Sequence, residues 1–297
     1  MTTADAPEGP VLELEPGRLA ALINLYPVDG RVSWHAPSAR GLAPMNCYLL
    51  TAGDRALLCD TGLTIHRDAL LAQVDAAVPA ERELSVLLLR QGEFDAMCNL
   101  PPLVKHRPVQ TIYGQYADAP EWADIHTAPE LRMSDEFPGK PPTIVPENGE
   151  TIAVDGAGER RLDIFVPALR LLGTYWAFDH QTGTLFSSDS FSYAIRPDAS
   201  GPWLVTADDD PIAAADVEEH LLGTRYWWLP GADVAAIRAD LAAIWDRYDI
   251  QRIAPGFGCV LEGRAIAERH WTMVDEIVGR LGRAPGARTT AAAGGSR

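Results

Sequence analysis

The stretch LLLRQGEFDAMCNL, residues 87 to 100, constrains the fold of this chain more than any other. An apolar run over residues 84–89 is typical of a buried strand, and a polar turn carrying Glu93 and Asp95 follows before a helical pattern resumes. In α/β proteins, the loops that leave the carboxyl ends of strands converge on a crevice. The sequence therefore predicts a functional site here that contains both carboxylates.

The charge of the chain limits its possible partners. Its 297 residues carry a formal net charge of -16, which argues against nucleic acid and anionic membranes. No apolar run approaches the ~18 residues of a membrane span. The N-terminal sequence MTTADAPEGP lacks the basic and apolar regions of a signal peptide. These features predict a cytoplasmic protein whose four cysteines are reduced.

Strand and helix patterns predict one α/β domain in two similar halves. The elements predicted in the first half are strands at 22–26 and 31–35, a hairpin over 46–60, a helix at 70–78, and strands at 84–89 and 109–113. The elements predicted in the second half are strands at 151–154 and 161–166, two strands around the turn 179–183, a helix after Asp233, a strand at 252–254 and a helix over about 264–281.

Two halves that each run from strands to a helix fit a pseudo-symmetric αββα sandwich. Residues 1–18 are acidic and contain prolines, and we expect them to be flexible. Residues 19–283 are predicted to form the domain, and the Ala/Gly-rich residues 284–297 a disordered tail. The polar segments 115–142 and 193–224 are expected to be long surface excursions.

The order of several motifs resembles the flavodiiron (oxygen-binding diiron) branch of the metallo-β-lactamase superfamily. The hairpin that ends in Asp60-Thr61-Gly62 resembles the opening of that superfamily. The metal-binding turn of the branch, His-x-Glu-x-Asp-His, corresponds to residues 91–96, QGEFDA. Its later motifs, Leu-Phe-Ser-x-Asp-x-Phe and Ala-Pro-x-His-Gly, correspond to LFSSDSF at 185–191 and APGFG at 254–258. The resemblance covers about residues 20–282 and implies a single αββα metallo-β-lactamase-like domain.

The resemblance also assigns seven metal-ligand positions, at which this chain keeps every carboxylate and loses every histidine. These positions hold Gln91, Glu93, Asp95, Ala96, Arg170, Asp189 and Phe257. The side chains of Ala96 and Phe257 donate nothing to a metal, and Gln91 offers only an amide oxygen. We therefore expect that the dinuclear site is lost and that no metal cofactor is bound.

Three buried carboxylates without a metal would repel one another and resist ionising. Arg170 has a permanent charge and five donors, which would suit a bridge between Glu93 and Asp189. The sequence thus predicts an ion-pair network in place of the metal. Its candidate catalytic or binding groups are Glu93, Asp95, Arg170 and Asp189.

Other residues offer alternatives to this network. Glu93, Asp95 and Asp189 could hold a divalent metal, either a hard cation such as Mg²⁺, Mn²⁺ or Ca²⁺, or Fe or Zn in a reduced ligand set. Cys98 and Cys259 lie beside the motifs and could form a soft-metal site. His35 and His126 lie in loops that could cover the pocket. Four tryptophans are expected either to pack in the core or a dimer interface, or to form an aromatic substrate cage: Trp176, Trp203, Trp227 and Trp228.

Three functions remain open on this sequence. The first is a pseudoenzyme or repurposed protein that binds a small molecule without a metal. The second is an enzyme in which Glu93 or Asp95 acts as the general base and Arg170 stabilises an anionic substrate. The third is a metal-dependent oxidoreductase or hydrolase with fewer ligands. The resemblance further implies a homodimer, because related diiron cores pair head to tail, and the FMN domain of flavodiiron proteins does not follow in this chain.

Overall fold

The apolar runs pair into two seven-stranded β-sheets in the structure, a computed structural model that describes residues 9–133, 137–171 and 173–282. The first sheet has its strands in sequence order: β1 Val11–Glu15, β2 Leu19–Val28, β3 Gly41–Ala52, β4 Arg55–Cys59, β5 Glu83–Leu87, β6 Val109–Tyr113 and β7 Thr143–Ile144. Its first four strands pair antiparallel, whereas β4 to β7 pair parallel. The carboxyl ends of β4 and β5 therefore lie side by side.

The second sheet contains β8 Thr151–Ala153, β9 Arg161–Phe165, β10 Trp176–Asp179, β11 Thr184–Ser188, β12 Leu204–Val205, β13 Arg252–Pro255 and β14 Val260–Glu262. Its strand order is β12-β14-β13-β11-β10-β9-β8, and β11 pairs parallel with β13. The carboxyl ends of β11 and β13 therefore also lie side by side.

Seven α-helices complete the fold of the described residues. They are α1 Arg67–Ala77, α2 Phe94–Met97, α3 Leu100–His106, α4 Ala119–Asp124, α5 Ala214–Gly223, α6 Ala235–Arg247 and α7 Arg264–Leu281. Alternation along β4 shows how the layers form. Leu57 joins the core shared by both sheets, whereas Leu58 joins the apolar cluster formed with α1, α3 and α4. The rings of Tyr48 and Phe186 meet between the sheets at 5.2 Å. These layers confirm the predicted αββα sandwich.

Several local predictions are wrong or incomplete. Residues 31–35 form no strand, and β1 lies within the segment 1–18 that was expected to be flexible. The excursion 115–142 contains α4, and the excursion 193–224 contains β12 and α5. The tail, 284–297, lies outside the described residues. No helix in the described ranges is long and apolar enough to cross a membrane.

Candidate functional site

The candidate site lies where strands of both sheets end. Asp60 directly follows β4 and Arg90 follows β5 within three residues. Asp60 adopts a positive φ of 59°, and its carboxylate Oδ1 accepts a hydrogen bond from the backbone N–H of Leu89 at 2.8 Å. This bond fixes the loop after β5 against the end of β4. Asp189 follows β11 in the second sheet.

Arg90 lies at the centre of a group that we call the Arg90 cluster: Arg90, Asp60, Asp95 and Asp189. The guanidinium is fully buried, and its Nη2 lies 3.2 Å from the Oδ2 of Asp60. Its Nη1 contacts the Oδ2 of Asp95 and lies 3.3 Å from the Oδ1 of Asp189. One cation is therefore shared among three buried carboxylates.

The closing turn of the second sheet is shaped to admit the guanidinium. A Cβ added to Gly256, directly after β13, would lie 2.6 Å from the Nη2 of Arg90. The ring of Phe257 lies 5.6 Å from the Cζ of Arg90, within the range of a cation–π contact. The Ala-Pro-Gly-Phe-Gly sequence thus supplies the space and one wall for Arg90.

The charges of the Arg90 cluster do not balance when all its groups ionise, because three negative charges face one positive charge. Burial raises the pKa of both Asp60 and Asp189 to about 6, against an ordinary value of 3.8. The positive charge of Arg90 limits this rise, and the negative charge of Asp95 adds to it. Burial would lower the pKa of Arg90, but the three carboxylates raise it well above its ordinary value. Arg90 therefore stays charged while Asp60 and Asp189 titrate near neutral pH.

The prediction that Arg170 bridges Glu93 and Asp189 is wrong. Arg170 is exposed, and its Nη1 donates to the backbone oxygen of Pro167 at 2.7 Å. Glu93 pairs instead with Arg225, with an Nη1 to Oε1 distance of 3.0 Å. Arg90 is the cation that Asp189 contacts. An arginine does pair with Asp95 and Asp189, but it is Arg90 after β5 and not Arg170.

The remaining predicted positions surround the Arg90 cluster. Gln91 is buried, and its Oε1 accepts from the backbone N–H of Tyr116 at 3.1 Å, while its Nε2 has no hydrogen-bond partner. Ala96 is fully buried, and its backbone oxygen accepts from the hydroxyl of Thr61 at 3.0 Å. These residues pack and position the loop.

The donor groups at this site do not fit a dinuclear metal centre. Asp95 and Asp189 both contact the guanidinium of Arg90. A metal cation would have to compete with this positive charge for the two carboxylates. Glu93 is engaged by Arg225. Within the described residues, no group of three or more His, Cys, Asp or Glu side chains could hold a metal ion. No metal-dependent step is therefore assigned to this chain.

The cysteines and histidines considered as alternatives also do not form a metal site among the described residues. Burial raises the pKa of Cys98 and brings that of Cys259 to about 12, so both thiols are protonated, whereas metals bind thiolates. His35 bonds through Nε2 to the hydroxyl of Tyr26 at 2.6 Å, and burial lowers its pKa to about 4. The His126 ring contacts Phe94 at 4.0 Å. These four residues have packing roles in the structure.

The tryptophans singled out in the sequence divide into two groups. Trp176 and Trp203 are buried, which confirms core packing for this pair. Trp227 and Trp228 are exposed, with 69% of Trp227 accessible. Neither pair lines the Arg90 cluster.

Solved structures show which fold this is. Rubredoxin oxygen:oxidoreductase from Desulfovibrio gigas matches with a TM-score of 0.68 and 16% identity over 91% of this chain and 62% of its own. The flavodiiron protein from Giardia intestinalis matches with a TM-score of 0.65 and 17% identity, over 91% and 59%. The metal-soaked Flv1 flavodiiron core from Synechocystis matches with a TM-score of 0.65 and 16% identity, over 88% and 59%.

These comparisons establish the fold. This chain has the metallo-β-lactamase-like fold of flavodiiron cores, as the sequence motifs predicted, and spans about three fifths of the length of the flavodiiron chains it matches. No family model and no curated protein matches the sequence at a significant level.

Proposed function

We propose that this chain is a metal-free protein of the metallo-β-lactamase-like fold that binds a small molecule, and that it is a pseudoenzyme with respect to diiron chemistry. The observation that carries the proposal is the fully buried guanidinium of Arg90 among Asp60, Asp95 and Asp189. A permanent cation in this place supplies charge that a metal would otherwise supply, and it cannot be removed by a chelator.

A second candidate function is metal-independent acid/base catalysis. Glu93 is the observation that favours it, because its carboxylate lines an open cavity while Asp95 is buried against Arg90. Arg225, in contact with Glu93, would then stabilise the anion, the role predicted for Arg170. This candidate needs a substrate that reaches Glu93, and a Glu93→Gln variant with unchanged turnover of any such substrate would exclude it.

The proposal predicts that metals and chelators leave thermal stability unchanged. A metal that binds the folded state at 100 times its Kd adds about 2.7 kcal/mol of stability, which for a domain of this size is a rise of several degrees in Tm. We expect changes below about 1 °C when Fe²⁺, Zn²⁺, Mn²⁺ or EDTA is added, as measured by differential scanning calorimetry. A rise of several degrees that Asp95→Asn abolishes would contradict the proposal.

The homodimer implied by the resemblance remains a prediction and belongs to the same proposal. Two exposed apolar side chains that line one surface hollow, Ile65 and Phe94, support it, because exposed apolar surface is typical of an interface. A single-chain mass of 32.2 kDa by light scattering would refute it.

A further inference from the structure

An open cavity lies beside the Arg90 cluster, between the turn after β5 and helix α4. Its volume is about 380 Å³, within the range of small-molecule sites. Its lining includes Gln91, Glu93, Tyr116, Asp118, Trp122 and Gly173. The cavity is therefore built from the turn that carries the candidate site and from the segment that follows β6.

Two aromatic side chains form walls of this cavity. Tyr116 is 51% exposed and Trp122 is 41% exposed, although large aromatic side chains are usually well buried. The Nε1 of Trp122 donates to the Oδ2 of Asp118 at 3.0 Å, which holds the indole and the carboxylate together on the first turn of α4. The faces of such rings carry partial negative charge and attract cations.

The two charged side chains that line the cavity are both acidic. Glu93 and Asp118 contribute carboxylates, and no Lys or Arg lines the cavity among the residues that the structure describes. Arg225 pairs with Glu93 at 3.0 Å, whereas Asp118 has no ion pair within the described ranges. The chain as a whole carries a net charge of -16, so the field at this surface also favours cations.

The backbone keeps the cavity open at two glycines. A Cβ on Gly173, at a φ of +63°, would lie 2.9 Å from the backbone oxygen of Gln91 and 3.7 Å from the Tyr116 ring. Gly92, at a φ of +96°, passes within reach of the Trp122 ring. Side chains at either position would fill the space between the turn and the rings.

We propose that this cavity binds a small organic ammonium ion, with Tyr116 and Trp122 facing the cation and Asp118 as its counter-charge. The proposal names the ligand class of the small-molecule-binding function proposed above, and it rests on that function. Choline, a small quaternary ammonium ion, is the probe.

The test is isothermal titration calorimetry of the full chain with choline and with its neutral carbon isostere, in which carbon replaces the ammonium nitrogen. We expect choline to bind with a millimolar or lower Kd that weakens as salt increases, and the isostere to bind at least about tenfold more weakly. Trp122→Leu should weaken choline binding about tenfold and Asp118→Asn about fivefold. Trp227→Leu, at an exposed indole that does not line the cavity, is the matched control and should leave the Kd unchanged.

Three results would overturn this assignment: no heat with choline up to about 10 mM, equal affinity for the isostere, or equal loss of binding in the Trp227→Leu control. Failure here is distinguishable from failure of the proposed function. If the chain contains no metal and does not bind choline, only the proposed ligand class is refuted. If the chain contains metal, the proposed function is refuted whether or not choline binds.

Discussion

Replacing Arg90 by methionine is expected to lower the free energy of unfolding by about 3–5 kcal/mol. The substitution removes the cation that Asp60, Asp95 and Asp189 share, and it leaves three buried carboxylates without that charge. Methionine has a similar length, so the loss of packing is small compared with the loss of charge. Urea unfolding followed by circular dichroism measures the change.

Arg170→Met is the matched control for this substitution, because Arg170 is exposed and its guanidinium donates to the backbone oxygen of Pro167. We expect it to change stability by less than about 0.5 kcal/mol. Adding Asp95→Asn and Asp189→Asn to Arg90→Met should restore part of the lost stability, since the uncompensated charges are then removed. Arg90→Lys, which keeps the charge but loses the planar set of donors, provides a milder variant if the methionine protein does not fold. Equal effects of Arg90→Met and Arg170→Met would contradict the proposed role of the Arg90 cluster.

The second large effect is a dependence of the free energy of unfolding on pH, caused by Asp60 and Asp189. The pKa of Asp189 is raised to about 6 in the folded chain, so between pH 3.8 and 6 the folded state binds more protons than the unfolded state. Stability from this group is therefore present at low pH and is lost as pH rises through about 6, with a total of about 3 kcal/mol. The contribution of Asp60 to stability has the same sign and is lost over the same pH range.

Two buried histidines act in the opposite direction. Burial lowers the pKa of His35 to about 4 and that of His220 to about 3, so the unfolded state binds protons first as pH falls below 6.5. Their contribution to stability is lost in acid. The stability of the unmodified chain therefore changes less with pH than either set of groups would require alone.

A single variant isolates the carboxyl contribution. Asp189→Asn keeps the oxygen that accepts from Arg90 and removes the charge, and the Oδ2 that it replaces has no partner. We expect Asp189→Asn to be about 1–3 kcal/mol more stable than the unmodified chain above pH 7, and this gap to close towards pH 4. Urea unfolding at several pH values gives the gap directly.

Asp163→Asn is the control of opposite sign. Hydrogen bonds from Thr151, His180 and Tyr248 outweigh the effect of burial and lower the pKa of Asp163. Asp163→Asn should therefore be less stable than the unmodified chain at neutral pH, with a gap that also closes in acid. A gap for Asp189→Asn that does not vary with pH would show that its carboxyl does not titrate as described.

The fold could be predicted from the sequence because its signals are local and repeated. The continuous apolar run of β4 and the amphipathic pattern of α7 each indicate their elements without tertiary information. The strand predicted at 31–35 and the strand missed at 11–15 show the limit of such signals. Whether a short apolar run pairs depends on a neighbour, and β1 is a strand because β2 lies beside it.

The sequence predicted the location of the candidate site but not which of its residues pair. The motifs brought Asp95, Asp189 and Phe257 to one crevice, and the structure places them there. They did not reveal Asp60 and Arg90 as partners, because no motif assigned a role to the arginine three residues after β5. The one available signal was an arginine directly after the buried run at 84–89, where an unpaired charge would be costly. Buried carboxylates would offset this cost, and Asp60 lies at the end of the adjacent strand.

Metal content tests the central claim most directly. The chain would be purified without a tag or chelator, and its metals quantified by elemental mass spectrometry before and after incubation with Fe²⁺, Zn²⁺ and Mn²⁺. With Arg90 paired to Asp60, Asp95 and Asp189, we expect less than about one tenth of an equivalent of any metal per chain under every condition. One equivalent or more, lost in Asp95→Asn and Asp189→Asn, would contradict the account and identify these carboxylates as metal ligands.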